Sequence, residues 1–176
     1  MASRRPKTTD AARDFFRSLK EAKEPAPVYL IHGSETFLVD MALDAVIRLA
    51  LPKGFNDFNH DHFRGKETQG DKVVGACETL ALFGGRRLVV VKDAQQMAAA
   101  NIAPIADYLQ NPSPATVLLM SATSLGRSLT KTGALYKRAK KAGVVQEFAP
   151  LREWEVGNFL RKQARKRGLT LDRDAE

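Results

Sequence analysis

Residues 86–93 read RRLVVVKD, four consecutive apolar side chains, Leu88 to Val91, shut between charges. Successive side chains of a strand point to opposite faces, so an unbroken apolar run of this length is buried on both sides. TVLLMS at 116–121 repeats the pattern, VVQEF at 144–148 repeats it more weakly, and VYLIH at 28–32 runs into Gly33. Segments of helical composition separate these runs, among them IAPIADYLQ (102–110) and TGALYKRAKKAG (132–143). A strand buried on both faces needs a helical layer on each, and parallel neighbours need long crossovers. The alternation predicts an α/β architecture, a parallel sheet of about five strands with helices on both faces. FNDFNHDHF at 55–63 alternates only partly and fits an edge strand.

The remaining elements follow from periodicity and punctuation. Phe15, Phe16 and Leu19 share one face of a short helix over residues 10–20, and Pro25 and Pro27 mark the boundary before the first strand. Ser34 is the expected N-cap of a helix whose stripe is Leu38, Met41, Ala42, Ala45, Val46 and Leu49, stopped at Pro52. In GDKVVGACETLALF the stripe is Val73, Val74, Cys77, Leu80 and Ala81, and Gly84-Gly85 is the expected helix stop. The sheet's core closes near Pro150, which divides the chain into an extension with a helix (1–25), the α/β domain (26–150) and the start of a second, helical domain (151–176). In that last part Leu151, Val156, Phe159, Leu160 and Ala164 line one side of a helix ending at Gly168. Asp172 looks like the N-cap of another helix, so the chain is expected to stop inside this domain, leaving Phe159 and Leu160 exposed.

With 44% apolar and 27% charged residues the composition is globular, and no apolar run approaches the ~20 residues a membrane-spanning helix needs. The basic start, with Arg4, Arg5 and Lys7, leads into no apolar segment, so it is not a secretory signal and a cytoplasmic location is expected. The lone cysteine, Cys77, sits on a helical stripe and reads as a buried structural thiol. Of the net charge of +8, the stretch from Ser124 to Gly168 holds 12 Lys and Arg against 3 Asp and Glu. This basic third, with Lys137, Lys140, Lys141, Arg161 and Arg165, suits either proximity to nucleic acid or a solvated helix face.

The turn after the first strand has the layout of a phosphate-binding loop without its chemistry. Such a loop needs several glycines to curl its N–H groups around the anion, a lysine for the terminal phosphates and a Ser or Thr for magnesium. Gly33, Ser34 and Glu35 supply one glycine and no lysine, and Glu35 would repel a triphosphate. Asp93 follows the LVVVK run without a partner that would complete a metal-holding pair. His60 and His62 share a strand face with Asp61 between them, yet no third ligand sits at matching spacing, so solvated polar strand residues are expected and no metal site. No Ser-His-Asp set, paired-carboxylate motif or dinucleotide fingerprint is visible, and no catalytic residue is assigned. The run TLALF at 79–83 crowds Leu80, Leu82 and Phe83 at one helix end. Either all three seal the helix onto the sheet or some form an apolar plug offered to a partner.

The blocks VYLIHGSETFLVDMALDAV, FNHDHFRG, LALFGGRRLVVVKDA, YLQNPSPATVLLMSA, LYKRAKKAGVVQEFAPL and a helix ending RKRGLTLD occur in order from about residue 26 to the end. Together they resemble the delta subunit of the bacterial DNA polymerase III clamp loader. The resemblance implies an AAA+-like α/β domain with a helical lid and a lost phosphate loop. It also implies no cofactor and a non-catalytic place in a DNA-directed DNA polymerase holoenzyme, a nucleotidyltransferase. The implied partners are the sliding clamp (beta subunit), the gamma/tau and delta prime subunits and, indirectly, primed DNA; no membrane is involved. It further implies that Leu82 and Phe83, flanked by Leu80 and Thr79, enter a pocket of the clamp and open its ring. Thr79 and Ala81 depart from the family's clamp-binding pentapeptide, which resembles Gln-Leu-Ser/Asp-Leu-Phe. The family's helical collar has no counterpart in this chain. Two other classes compete: a free-standing basic nucleic-acid-binding module and a P-loop ATPase, the latter opposed by the missing lysine near Gly33.

Overall fold

The computed structural model describes residues 7–51, 57–82, 85–126, 129–166 and 168. The apolar runs become the sheet: β1 (Val28–His32), β3 (Arg87–Lys92) and β4 (Thr116–Ala122), with β2 (His60–Arg64) and β5 (Val144–Glu147) shorter and more polar. All pairings are parallel, in the order β2-β3-β4-β1-β5. The order explains the composition. Every residue of β1 and β4 is buried, as are Leu88 to Val91 of β3, whereas β2 and β5, at the edges, are half-buried. The partly alternating 55–63 stretch thus yields an edge strand, as expected, over its last part.

The helices are α1 (Thr8–Glu21), α2 (Thr36–Ala50), α3 (Gly70–Glu78), α4 (Ala99–Tyr108), α5 (Ala134–Ala142) and α6 (Glu153–Lys166). Period-two alternation sorts the strand residues between two cores. Leu30, Val89, Val91, Leu118 and Met120 meet α3, α4 and α5 through Val73, Cys77, Ile105 and Leu135. Ile31, Leu88, Val90, Val117 and Leu119 meet α1 and α2 on the opposite face, through Phe15, Leu38, Ala42 and Val46. Burying one such Leu, Ile or Val is worth ~1.5–3 kcal/mol, so these rows hold the helices down.

Four expectations need correction. Helix α2 starts at Thr36, and the residue before it is Glu35 rather than Ser34. Helix α3 stops at Glu78, well short of Gly84-Gly85: Thr79 turns extended, its N–H (3.1 Å) and hydroxyl (2.8 Å) both donating to the Gly75 carbonyl, and the Asn59 amide takes the backbone groups of Leu82. The predicted stripe is therefore cut after Cys77: Val74 is half-buried and Leu80 lies outside the helix, exposed. Gly84 lies outside the described residues. Finally, Phe159 of α6 is half-buried against the α1/α2 core and meets Phe37 edge-on at 5.8 Å, while Leu160 is exposed as expected.

An ionisable side chain fastens α6. Glu155 is buried, and its carboxylate accepts from the Thr9 hydroxyl at 2.7 Å, from the Thr9 N–H at 3.3 Å and from the Arg152 N–H at 3.3 Å. Burial alone would raise its pKa; these donors and the Arg152 charge outweigh it and hold the carboxyl below the usual range.

Candidate functional site

Two places stand out: the turn from β1 into α2 and the strap that follows α3. Strand β1 lies between β4 and β5, and the chain then leaves for the far edge of the sheet. The C-terminal end of a strand at such a switch is where open α/β sheets bind ligands. Here the chain's own backbone closes the turn. The Gly33 N–H donates to the Ala122 carbonyl at 3.0 Å and the Glu35 N–H to the Phe148 carbonyl at 3.3 Å; the Phe148 N–H in turn donates to the His32 carbonyl at 2.7 Å. Gly33 has φ +142°, and a Cβ there would stand 1.9 Å from the Phe148 oxygen, so glycine is required by close approach of residue 148.

Glu35 completes the closure. Its carboxylate accepts from the Leu151 N–H at 3.3 Å, so an acidic side chain tied to the start of the α6 region occupies the end of α2 that would face a phosphate. Ser34 is exposed and its carbonyl accepts from the Thr36 N–H at 3.0 Å. A cleft of about 1220 Å³ does exist along α1, α2 and α6, lined by Phe16, Leu38, Met41, Trp154 and Phe159 among others, but Gly33, Ser34 and Glu35 take no part in it.

The second place is the strap from Thr79 to Leu82. Leu80 is 80% exposed and Leu82 50% exposed, two large apolar side chains that the core does not use. Their presentation has a cause. Asn59 is buried; its side-chain nitrogen donates to the Leu82 carbonyl at 2.8 Å, and its oxygen accepts from the Leu82 N–H at 2.6 Å. Helix α3 itself is held by the Thr116 hydroxyl, which donates to the Cys77 carbonyl at 2.8 Å. Phe83 lies outside the described residues. Of the two readings of the run, sealing fails for Leu80 and Leu82. Asn59 and the neighbouring Phe58, itself 66% exposed, were missed by sequence reasoning, since Asn59 meets its partner 23 residues away and no local spacing marks it.

The other candidates have structural explanations. The His60 and His62 rings lie 3.9 Å apart, but the Asp61 carboxylate is paired with the Arg87 guanidinium at 2.5 Å, and among the described residues no group of three metal-ligating side chains converges. Asp93 adopts the left-handed conformation (φ 58°) and accepts from Gln95 while facing Arg64 at 3.6 Å. Burial pushes the Cys77 thiol up to about 12, which leaves no reactive thiolate. Lys137, Lys140 and Lys141 are exposed on α5, and Arg161 and Arg165 on α6. The structure does not join them, since α5 packs on one face of the sheet and α6 on the other. Among the described residues no helix is long and apolar enough to cross a membrane.

A five-stranded parallel sheet in this order, layered by helices on both faces and with its switch-point turn after the strand between β4 and β5, defines an α/β domain of the AAA+/P-loop type. Residues 29–148 match the family described as DNA polymerase III, delta subunit, and the chain belongs to that family. It is 28% identical over 170 residues to the DNA polymerase III subunit delta of Bacillus subtilis (strain 168), a match covering 92% of this chain and 48% of that protein. The chain thus spans about half the length of the curated relative it matches. The solved DNA clamp loader delta protein of Bacillus subtilis superposes with a TM-score of 0.73 at 27% identity, over 89% of this chain and 48% of that one. A DNA polymerase III gamma subunit-related protein from Thermotoga maritima (TM-score 0.56, 12% identity, 87% of this chain and 50% of that one) shares the fold, as does a RuvB mutant from the same organism (TM-score 0.55, 12% identity, 94% and 52%).

Proposed function

We propose that this chain acts as the clamp-binding part of a cytoplasmic clamp loader, a non-catalytic subunit that engages the sliding clamp through Leu80, Leu82 and Phe83 and opens the ring for loading onto primed DNA. Membership of the delta family supports the setting. The observation that carries the reading is the exposure of Leu80 and Leu82 beyond the end of α3 while the phosphate turn is bonded shut. Residues 151–176 read as the start of the lid, and gamma/tau and delta prime as the neighbours in the loader. The exposed lysines of α5, Lys137, Lys140 and Lys141, are the favoured DNA-facing group, with Arg161 and Arg165 serving separately on the other face.

The energetics suffice for a useful contact. Covering a whole Leu side chain is worth ~1.5–3 kcal/mol, so burying what Leu80 and Leu82 still expose contributes about 2–4 kcal/mol. At ~1.4 kcal/mol per tenfold, that is roughly one and a half to three orders of magnitude in affinity. The test is calorimetric titration of the chain with the sliding clamp of the same organism. Leu82→Ala combined with Phe83→Ala is expected to weaken binding by roughly a hundredfold or more, with the fold intact because Val73 and Cys77 are untouched. Unaltered binding by the double variant, or strong salt-dependent binding to primed DNA with indifference to the clamp, would replace this reading with that of a basic nucleic-acid module.

A further inference from the structure

We infer that Asn59 is the positioning residue of the clamp-binding strap, fixing the backbone of Leu82 and thereby the direction in which Leu82 meets the clamp. The inference rests on the docking role proposed for Leu80 and Leu82. A primary amide carries a donor and an acceptor side by side, and Asn59 sets both against the N–H and C=O of a single residue, at 2.6 and 2.8 Å. This reproduces the edge that a neighbouring strand would offer, delivered by one side chain. No other side chain at this position does the same. Aspartate would set an oxygen against the Leu82 carbonyl oxygen, alanine would reach neither group, and glutamine is one methylene too long.

Asn59 is itself seated on the sheet. It ends a short turn (Asp57–Asn59) that leads directly into β2, where His60 is in register with Leu88 of β3. Beside it the Arg87 guanidinium donates to the Phe58 carbonyl at 3.4 Å and pairs with Asp61. The chain from sheet to Arg87, to the 57–59 turn, to Leu82 gives a non-helical strap the placement of a regular element. A strap already ordered before the partner arrives loses less conformational freedom on association, and affinity rises accordingly.

Three measurements on the full chain test this. In the unbound parent, hydrogen exchange at the Leu82 amide is expected to be slower than at the Leu80 amide; equal rates would show that Asn59 does not hold the strap and would overturn the inference. Against the sliding clamp, Asn59→Ala and Asn59→Asp should each weaken binding about tenfold, with slow exchange at Val89 and Val90 showing the sheet undisturbed. The decisive arm is the double variant. If Asn59 acts through Leu82, Asn59→Ala adds little further loss in a Leu82→Ala background; full additivity would mark an independent or merely structural effect and sink the proposal. Leu82→Ala weakening binding while Asn59→Ala leaves it unchanged would overturn the positioning role alone. Leu82→Ala binding as well as the parent would overturn the docking reading, and with it this one.

Discussion

Replacing Gly33 by alanine tests whether the turn after β1 is shaped by its own chain. The new Cβ would meet the Phe148 oxygen at 1.9 Å, its carbonyl carbon at 2.5 Å and its nitrogen at 2.8 Å, all backbone atoms that cannot rotate away. With φ at +142°, a non-glycine residue also carries ~1–3 kcal/mol of backbone strain. Relieving the clash means moving the end of β5, which weakens the Phe148 N–H bond to the His32 carbonyl and the Glu35 N–H bond to the Phe148 carbonyl, each worth ~1 kcal/mol. The sum is about 3–5 kcal/mol out of a total stability of ~5–15 kcal/mol. At ~2–4 °C per kcal/mol for a chain of this size, the melting temperature should fall by about 6–20 °C. Gly75 is the control: a Cβ there meets nothing within 4 Å, and Gly75→Ala should stabilise helix α3 by ~0.5–1 kcal/mol. Thermal and urea unfolding followed by far-UV circular dichroism read both. A Gly33→Ala protein melting within about 2 °C of the parent would refute the argument that residue 148 dictates the glycine.

Magnesium-ATP titrated into the chain should give no binding heat, because the turn's N–H groups at Gly33 and Glu35 are spent on Ala122 and Phe148; saturable binding at micromolar affinity would contradict this. His32 is buried, and burial lowers its pKa, with Glu147 pulling it up and Lys131 down. The unfolded chain therefore takes up a proton below about pH 6.5 that the folded protein resists, so stability is full above that value and is lost as pH falls through the lowered folded pKa. Urea midpoints between about pH 7.5 and about pH 5 should fall more in the parent than in His32→Phe, and equal slopes would count against it. The Cys77 thiol, pushed up to about 12 by burial, should react with iodoacetamide only on unfolding; rapid alkylation of the native chain would show an open site.

The sheet was legible because its causes are local. Four β-branched and apolar residues between charges at 88–91 read as a strand covered on both sides, and the five-residue run at 28–32 matches β1 residue for residue. The end of α3 was not legible. Leu80, Ala81 and Leu82 continue a helical rhythm, and what draws the chain out of it is an amide on another element that takes both backbone groups of Leu82. The same limit hid Glu155, which is buried against Thr9, a partner 146 residues away. Apolar periodicity reports which face turns inward; buried polar pairs between distant segments leave no rhythm to read. Of the candidate site, the apolar strap and the turn lacking a phosphate-binding lysine were visible from residue types alone, whereas the geometry that presents the first and shuts the second was not.

The carboxylate of Glu35 on the Leu151 N–H joins the turn after β1 to the segment that precedes α6. In a turn with the glycines and lysine that hold a phosphate, the group at this position would be a diffusible anion that comes and goes. Here the joint is a side chain of the same polypeptide, present at fixed stoichiometry and inert to hydrolysis. On the clamp-loading role proposed above, timing comes from outside the chain, from neighbours that cover or uncover it.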